Sequence, residues 1–76
     1  MNELVKIRMK KGHTLQDAAA EMGVSFMTVH CTETGKTLPR LKTLEKMTHY
    51  YDLPPMTIIK TVIEERQKRG SLARSS

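Results

Sequence analysis

The sequence is poor in the residues that build large or cross-linked cores, since it has no tryptophan, one phenylalanine and one cysteine. A single cysteine excludes an internal disulfide and is typical of a reducing compartment. The N-terminus has no long apolar stretch, so we expect neither a signal peptide nor a membrane span. Six methionines predict an adaptable core made mainly of aliphatic side chains.

Residues suited to metal binding or catalysis are also sparse. The three histidines and Cys31 lack the spacing of zinc ligands, and the chain has no glycine-rich loop to hold a phosphate. Cys31 follows a histidine, but no oxyanion site or second cleft is evident. We therefore expect a protein that is not an enzyme and that uses no metal and no cofactor.

Positive charge is the main compositional feature that is present. The 76 residues carry a net charge of +5, with an isoelectric point near 9.7, which favours an anionic partner such as nucleic acid or a membrane surface. A membrane is disfavoured because Glu64 and Glu65 interrupt the polar face of the last predicted helix. The length predicts one domain with a marginal core, which a second subunit would help to stabilise.

The segment 14–35 predicts two short helices joined by a tight turn. Thr14 is placed to cap the first helix, with Asp17 at the capping-box position. Gly23 can supply the positive φ that ends a helix in a sharp bend, and Ser25 is placed to cap the second helix. The core-facing positions are Leu15, Ala18, Ala19, Met22, Val29 and Thr32. The other face of the second helix holds Phe26, Met27, His30 and Cys31.

Three further helices are predicted at about residues 2–12, 40–50 and 55–68. In the fourth helix, the residues predicted to point inward are Leu41, Leu44 and Met47. The fifth helix has a broad apolar stripe that consists of Met56, Ile59, Val62 and Ile63. Ile58 lies beside this stripe and widens it. We interpret this stripe as partly core and partly a dimer interface, the alternative being that it is core alone.

These elements predict an all-α fold with one domain at residues 1–69. The C-terminal helix, at about 55–69, is its predicted dimerisation helix. Residues 70–76 are small, polar and basic, and they are predicted to form a disordered tail. The sequence shows neither an internal repeat nor a β-hairpin signal.

Several short motifs follow one another in a fixed order. They are LVKIRMKKGHT, Ala19 followed by Gly23-Val24-Ser25, Thr28-Val29, the Glu33-Thr-Gly-Lys segment and the Leu-Pro-x-Leu-x-x-Leu run that opens the fourth helix. In this order the chain resembles the Cro and phage-repressor (Xre-like) helix-turn-helix family over about residues 4–53. The resemblance implies a compact, five-helix, lambda-repressor-like domain that binds double-stranded DNA as a dimer. Its third helix would enter the major groove, and its two-fold axis would match a palindromic operator.

The charge pattern supports DNA binding independently of the resemblance. The segment 22–32 has no formal charge if His30 is neutral, whereas cations lie on both sides of it, at 6–11 and 36–46. A neutral helix that reads bases, between basic segments that hold phosphates, is the layout expected of a DNA-binding protein.

The resemblance also implies roles for individual residues. Arg8 and Glu33 match a pair that forms a structural salt bridge in the family, the alternative being that Arg8 only contacts phosphate. Lys36 and Arg40 match positions that contact the DNA backbone. The complete set of predicted DNA contacts is Gln16, Ser25, Phe26, Met27, Thr28, His30, Cys31, Lys36, Thr37 and Arg40.

The third helix departs from the family at the base-reading positions. Family members often have Gln or Arg there, whereas this sequence has Phe26, Met27 and Cys31. Gln16 stands one place after the position where a glutamine usually holds a phosphate. Thr32 replaces a large core residue near the end of the helix. The helix therefore has fewer hydrogen-bonding groups with which to read bases.

Two hypotheses for the third helix follow. In the first, Phe26 and Met27 contact thymine methyl groups, Thr28 and His30 supply hydrogen bonds, and DNA shape adds specificity. In the second, the apolar face from Phe26 to Cys31 binds another regulator protein, as an antirepressor or antiactivator would. The basic flanks favour DNA. We therefore predict a sequence-specific, homodimeric transcriptional regulator that is cytoplasmic, nucleoid-associated and encoded by a bacterium or phage.

Overall fold

The computed structural model describes the backbone of residues 1–75 and the side chains of residues 1–70. Its helices, in chain order, are α1 (Glu3–Lys10), α2 (Leu15–Met22), α3 (Phe26–Glu33), α4 (Leu41–Tyr51) and α5 (Pro55–Ser75). Within that range the chain forms no strand. The prediction of an all-α fold with five helices is therefore confirmed. In the same range, no helix combines the length and the apolar content needed to span a membrane.

Local sequence signals determine where the first three helices begin and end. Asn2 caps α1, and its side chain accepts a hydrogen bond from a backbone N–H of the first turn at 3.0 Å. At α2, the Thr14 hydroxyl accepts from the Asp17 N–H at 3.1 Å, and the Asp17 carboxylate accepts from the Thr14 N–H at 2.9 Å. This predicted capping box lowers the pKa of Asp17. Gly23 ends α2 with a φ of 69°, and Ser25 caps α3.

All five helices contribute to one core. The buried apolar side chains are Leu4, Ala18, Ala19, Met22, Val29, Leu44, Met47, Tyr50, Tyr51, Ile58 and Val62. Thr32 is buried with them, and its hydroxyl donates to the Thr28 carbonyl oxygen at 2.9 Å. A polar group can therefore occupy this core position, because its hydrogen bond is satisfied inside its own helix.

Two predicted helix faces are corrected by the structure. Leu41, predicted to point inward, is 72% exposed because it is the first residue of α4 and extends past the core. Val62, predicted to lie in a dimer interface, is fully buried in the core of its own chain, as is Ile58. The apolar stripe of α5 therefore divides into an inward part, with these two residues, and an outward part, with Met56 and Ile63.

The fifth helix is also longer than predicted. The sequence predicted an end near Lys68, whereas the backbone is helical to Ser75. A glycine in a helix interior costs only about 1 kcal/mol relative to alanine, and no proline follows Gly70, so this glycine does not end the helix. Side chains beyond Gly70 lie outside the described residues, so the tail predicted at 70–76 is described only by its backbone, which is helical up to Ser75.

Candidate nucleic-acid interface

The C-terminal end of α3 is held by a buried ion pair. Arg8 Nε lies 3.0 Å from both carboxylate oxygens of Glu33, and the two side chains are 13% and 3% exposed. Arg8 Nη1 also donates to the carbonyl oxygen of His13, at 3.0 Å. The predicted ion pair is therefore present. Because most of the guanidinium group is used inside the protein, the geometry favours the structural role of Arg8 over a phosphate contact.

A tyrosine completes this cluster. The Tyr51 hydroxyl donates to Glu33 Oε2 at 2.8 Å. Burial, together with the charge of Glu33, raises the pKa of Tyr51 well above its ordinary value, so the hydroxyl keeps its proton. The hydrogen bond with Glu33 likewise raises the pKa of Arg8. The carboxylate thus has both a cationic and a neutral donor, as a charge almost excluded from water requires.

Two further contacts fix the end of α3 and were not predicted from the sequence. Asn2 Nδ2 donates to the Glu33 carbonyl oxygen at 2.7 Å. Gly35, with a φ of 76°, lies so close to α5 that a Cβ atom on it would be 2.5 Å from the Arg66 amide nitrogen. Both contacts join residues far apart in the chain, so the periodicity within a single helix carries no signal for them. Together they set the position of α3 relative to α1 and α5.

The N-terminal part of α3 is an exposed and mostly apolar surface. Phe26 and Met27 are 42% and 57% exposed. The rings of Phe26 and His30 stack, with centroids 6.1 Å apart and 5° between their planes. The hydroxyl groups of Ser25 and the half-buried Thr28 are 2.7 Å apart and hydrogen-bond to each other. Polar groups that could bind a base edge are therefore few, as the sequence predicted.

The other predicted DNA contacts lie at helix starts and in the α3–α4 loop. Gln16 is in the first turn of α2 and Arg40 is the N-cap residue of α4; both are exposed. Lys36 and Thr37 are exposed in the loop, which folds back on α3 because their N–H groups donate to the carbonyl oxygen of Cys31, at 2.9 and 3.4 Å. The structure thus brings the loop residues to the end of α3. The Cys31 side chain is half-buried.

The arrangement is a pair of short helices joined at a left-handed glycine, with an exposed second helix beside a basic loop. A helix-turn-helix family model matches residues 4–58, which is more than half of the chain. The chain belongs to this family, of the Cro and phage-repressor (Xre-like) type. Comparison with curated proteins and with solved structures gave no match. Members of the family are DNA-binding regulators, so this helix-turn-helix protein is a DNA-binding regulator.

The helix-turn-helix protein has a second exposed surface on α5, on the side that faces away from its core. Met56, Ile59 and Ile63 line a groove of about 520 Å³, along which Lys60 and Glu64 also lie. Met56 is 72% and Ile63 39% exposed. We refer to these five residues as the α5 groove. Exposed apolar surface with charged residues at its edge is typical of a protein–protein contact.

Metal chemistry has no candidate site in the part of the chain that the structure describes. No three side chains among its histidines, cysteine, aspartates and glutamates lie close enough to hold a metal ion.

Proposed function

We propose that this protein is a homodimeric, sequence-specific regulator that occupies a palindromic operator through α3 in the major groove. The observation that carries the proposal is the exposed, uncharged surface at the N-terminal end of α3, in a helix that is fixed at its other end and followed there by a basic loop. An α-helix fits the major groove, and residues near its N-terminal end can reach base edges. Repression or activation would follow from occupancy of the operator, with no catalytic step and no cofactor.

The proposal separates residues that hold the DNA backbone from residues that read bases. Lys36 and Arg40 are exposed cations at 36–40, between α3 and α4, and Gln16 lies at a helix N-terminus, where backbone N–H groups favour phosphate. Phe26 and Met27 would contact thymine methyl groups in the major groove. Affinity would therefore come mainly from the backbone contacts, and specificity from the apolar contacts and from DNA shape.

The salt dependence of DNA binding tests this division. Removing one cation that neutralises a phosphate should reduce the slope of log affinity against log salt concentration by about 0.9. We expect Lys36→Gln and Arg40→Gln to make the affinity for a random-sequence duplex fall less steeply with salt, which is a slope of smaller magnitude. Lys68→Gln is the control, because it removes an exposed charge outside the predicted contact set and outside both basic flanks of α3. Equal slopes for all three variants and the unaltered protein would contradict the proposed backbone contacts.

The proposed dimer forms through the α5 groove. In an antiparallel pairing of two α5 helices, Ile59 and Ile63 would pack around the two-fold axis. Lys60 would then face the partner subunit's Glu64, and the symmetry would repeat this charge pair on the other side. Val62 has no part in this interface, because it is buried in its own core. A second subunit would also cover apolar surface that a domain of this size cannot cover alone.

Substitution of the exposed groove residues tests the dimer. Met56→Asp and Ile63→Asp should each convert the protein to a monomer, as measured by the mass in sedimentation equilibrium. Leu41→Asp is a matched control, because Leu41 and Met56 are both 72% exposed and both lie in the first turn of a helix. An unchanged mass for both groove variants would exclude the groove as the interface.

A second candidate function is a protein-interaction module that uses the apolar face of α3. It is favoured by the exposure of Phe26 and Met27 and by the few free polar groups beside them. Replacing thymine with uracil in the bound duplex removes the methyl groups and leaves base pairing intact. If Phe26 reads thymine, the unaltered protein binds the uracil duplex more weakly than the thymine duplex. The Phe26→Ala variant then binds both duplexes equally. Salt-insensitive or negligible DNA binding would favour the protein partner instead.

A further inference from the structure

The core-facing stripe of α5 changes from apolar to basic along the helix. Ile58 and Val62 are fully buried. Arg66 and Arg69 follow on the same face, because they continue the spacing of three to four residues that aligns side chains along a helix. Both arginines are exposed. The stripe therefore leaves the core after Val62 and continues as a pair of cations.

Contacts place these arginines beside the loop that carries Lys36. The backbone of Arg66 lies against Gly35, where an added Cβ would be 2.5 Å from the Arg66 amide nitrogen. Arg69 Nη1 donates to the Thr34 carbonyl oxygen at 3.4 Å, which is long for such a hydrogen bond. Arg66 and Arg69 therefore border the segment from Thr34 to Lys36, so that α5 and the loop form one stretch of basic surface.

Two acidic residues near the junction of the loop and α5, Glu33 and Glu65, make their polar contacts with residues other than the two arginines. Glu33 is paired with Arg8, and this is the only ion pair in the part of the chain that the structure describes. Glu65 Oε1 accepts a hydrogen bond from Asn2 Nδ2 at 3.2 Å. The same contact holds α5 against the N-terminus of α1. Both arginines are exposed and neither is in an ion pair, although Glu65 keeps its negative charge beside them because Asn2 is a neutral donor.

We propose that Arg66 and Arg69 form a second contact with the DNA backbone, by which α5 extends the phosphate-binding surface of Lys36 along the duplex. This inference rests on the proposed function, since it requires the loop to face DNA. A guanidinium group suits this role because it is always charged and donates hydrogen bonds to phosphate in a planar fork. The competing explanation is that Arg69 only stabilises the C-terminus of α3, where the helix dipole favours a cation.

The test compares charge removal on two faces of one helix. Binding of the full chain to a random-sequence duplex is measured over about 50–200 mM salt for Arg66→Gln/Arg69→Gln and for Lys68→Gln. Lys68 is exposed on the same helix but lies off the stripe of Arg66 and Arg69. We expect the double variant to lower the slope by about 1.8 per bound subunit and the control to leave it unchanged. Arg66→Lys/Arg69→Lys should keep the slope of the unaltered protein.

Three results would overturn the inference. A lower melting temperature, with an affinity reduced equally at every salt concentration, would assign the arginines to structure alone. An equal loss of slope per charge in Lys68→Gln would indicate an effect of net charge. If Lys36→Gln lowers the slope and the arginine double variant does not, this inference is wrong while the proposed function stands. A different result separates the two: if the unaltered protein shows no salt-dependent binding, the proposed function itself fails.

Discussion

The two ends of α3 are built in different ways. At the C-terminal end, Glu33 is 3% exposed and contacts Arg8 and Tyr51. At the N-terminal end, Phe26 and Met27 are 42% and 57% exposed. One end therefore sets the position of the helix through contacts that no partner can reach, whereas the other presents side chains to a partner.

The largest effect is expected at the anchored end. Arg8→Met leaves the Glu33 carboxylate buried without its cation, and removing one partner of a buried ion pair costs about 3–5 kcal/mol. We expect the free energy of unfolding, measured by urea titration, to fall by that amount. Lys6→Met removes the same charge from an exposed position of the same helix and should cost less than about 0.5 kcal/mol. Similar small losses in both variants would mean that the ion pair does not anchor α3.

The next largest effect is expected where α3 meets α5. Gly23 and Gly35 both have positive φ, but only Gly35 is close to another backbone. Gly23→Ala should cost about 1–2 kcal/mol for the left-handed conformation alone. Gly35→Ala should cost at least about 1 kcal/mol more, because the new Cβ forces α5 to move. Equal losses in the free energy of unfolding would contradict a close contact between the loop and α5.

The anchored end should also make the fold sensitive to alkali. Tyr51 has a raised pKa, so it stays protonated in the folded protein at pH values where it ionises in the unfolded chain. The contribution of Tyr51 to the free energy of unfolding is therefore fully present below about pH 10. Above that pH the free energy of unfolding decreases, by up to about 1.4 kcal/mol per pH unit. Burial raises the pKa of Tyr50 in the same direction.

Tyr51→Phe separates the two tyrosines. The variant should be less stable near neutral pH, because Glu33 loses a hydrogen-bond donor, and its stability should decrease less steeply above pH 10. Urea titrations at several pH values between neutral and alkaline provide the comparison. Parallel pH profiles for the variant and the unaltered protein would show that Tyr51 is not the group responsible.

The smallest effect on stability is expected at the exposed end. Phe26→Ala and Met27→Ala should change the free energy of unfolding by less than about 0.5 kcal/mol, because neither side chain belongs to the buried core cluster. The same variants should change which sequences are enriched when duplexes are selected from a random pool. A large loss of stability would place Phe26 in the core and would remove the contrast between the two ends.

Local structure was predictable because its signals are local. The caps at Thr14 and Ser25 and the turn at Gly23 depend on residues a few positions apart, and the structure has them where the sequence predicts. The predicted pairing of Arg8 with Glu33 came from the resemblance to a family. Nothing in the helical pattern indicated it, because the two residues are on different helices.

Contacts between distant elements were not predictable in the same way. The sequence predicts an end of α4 near Tyr50, whereas the helix ends at Tyr51, which is buried and donates to Glu33 on another helix. The apolar stripe of α5 was too broad to divide from the sequence alone. Its division between Val62, which packs inward, and Met56, which does not, depends on where α5 crosses the other helices.

Selection of bound sequences from a random pool of duplexes, at two salt concentrations, tests most directly whether the exposed end of α3 reads an operator. We predict an affinity that falls with salt, and an enriched palindrome whose half-sites lie about one helical turn apart, or a multiple of it. Enrichment of no sequence, or binding that is insensitive to salt, would contradict a dimeric operator-binding regulator and would make Phe26 and Met27 candidates for a protein contact.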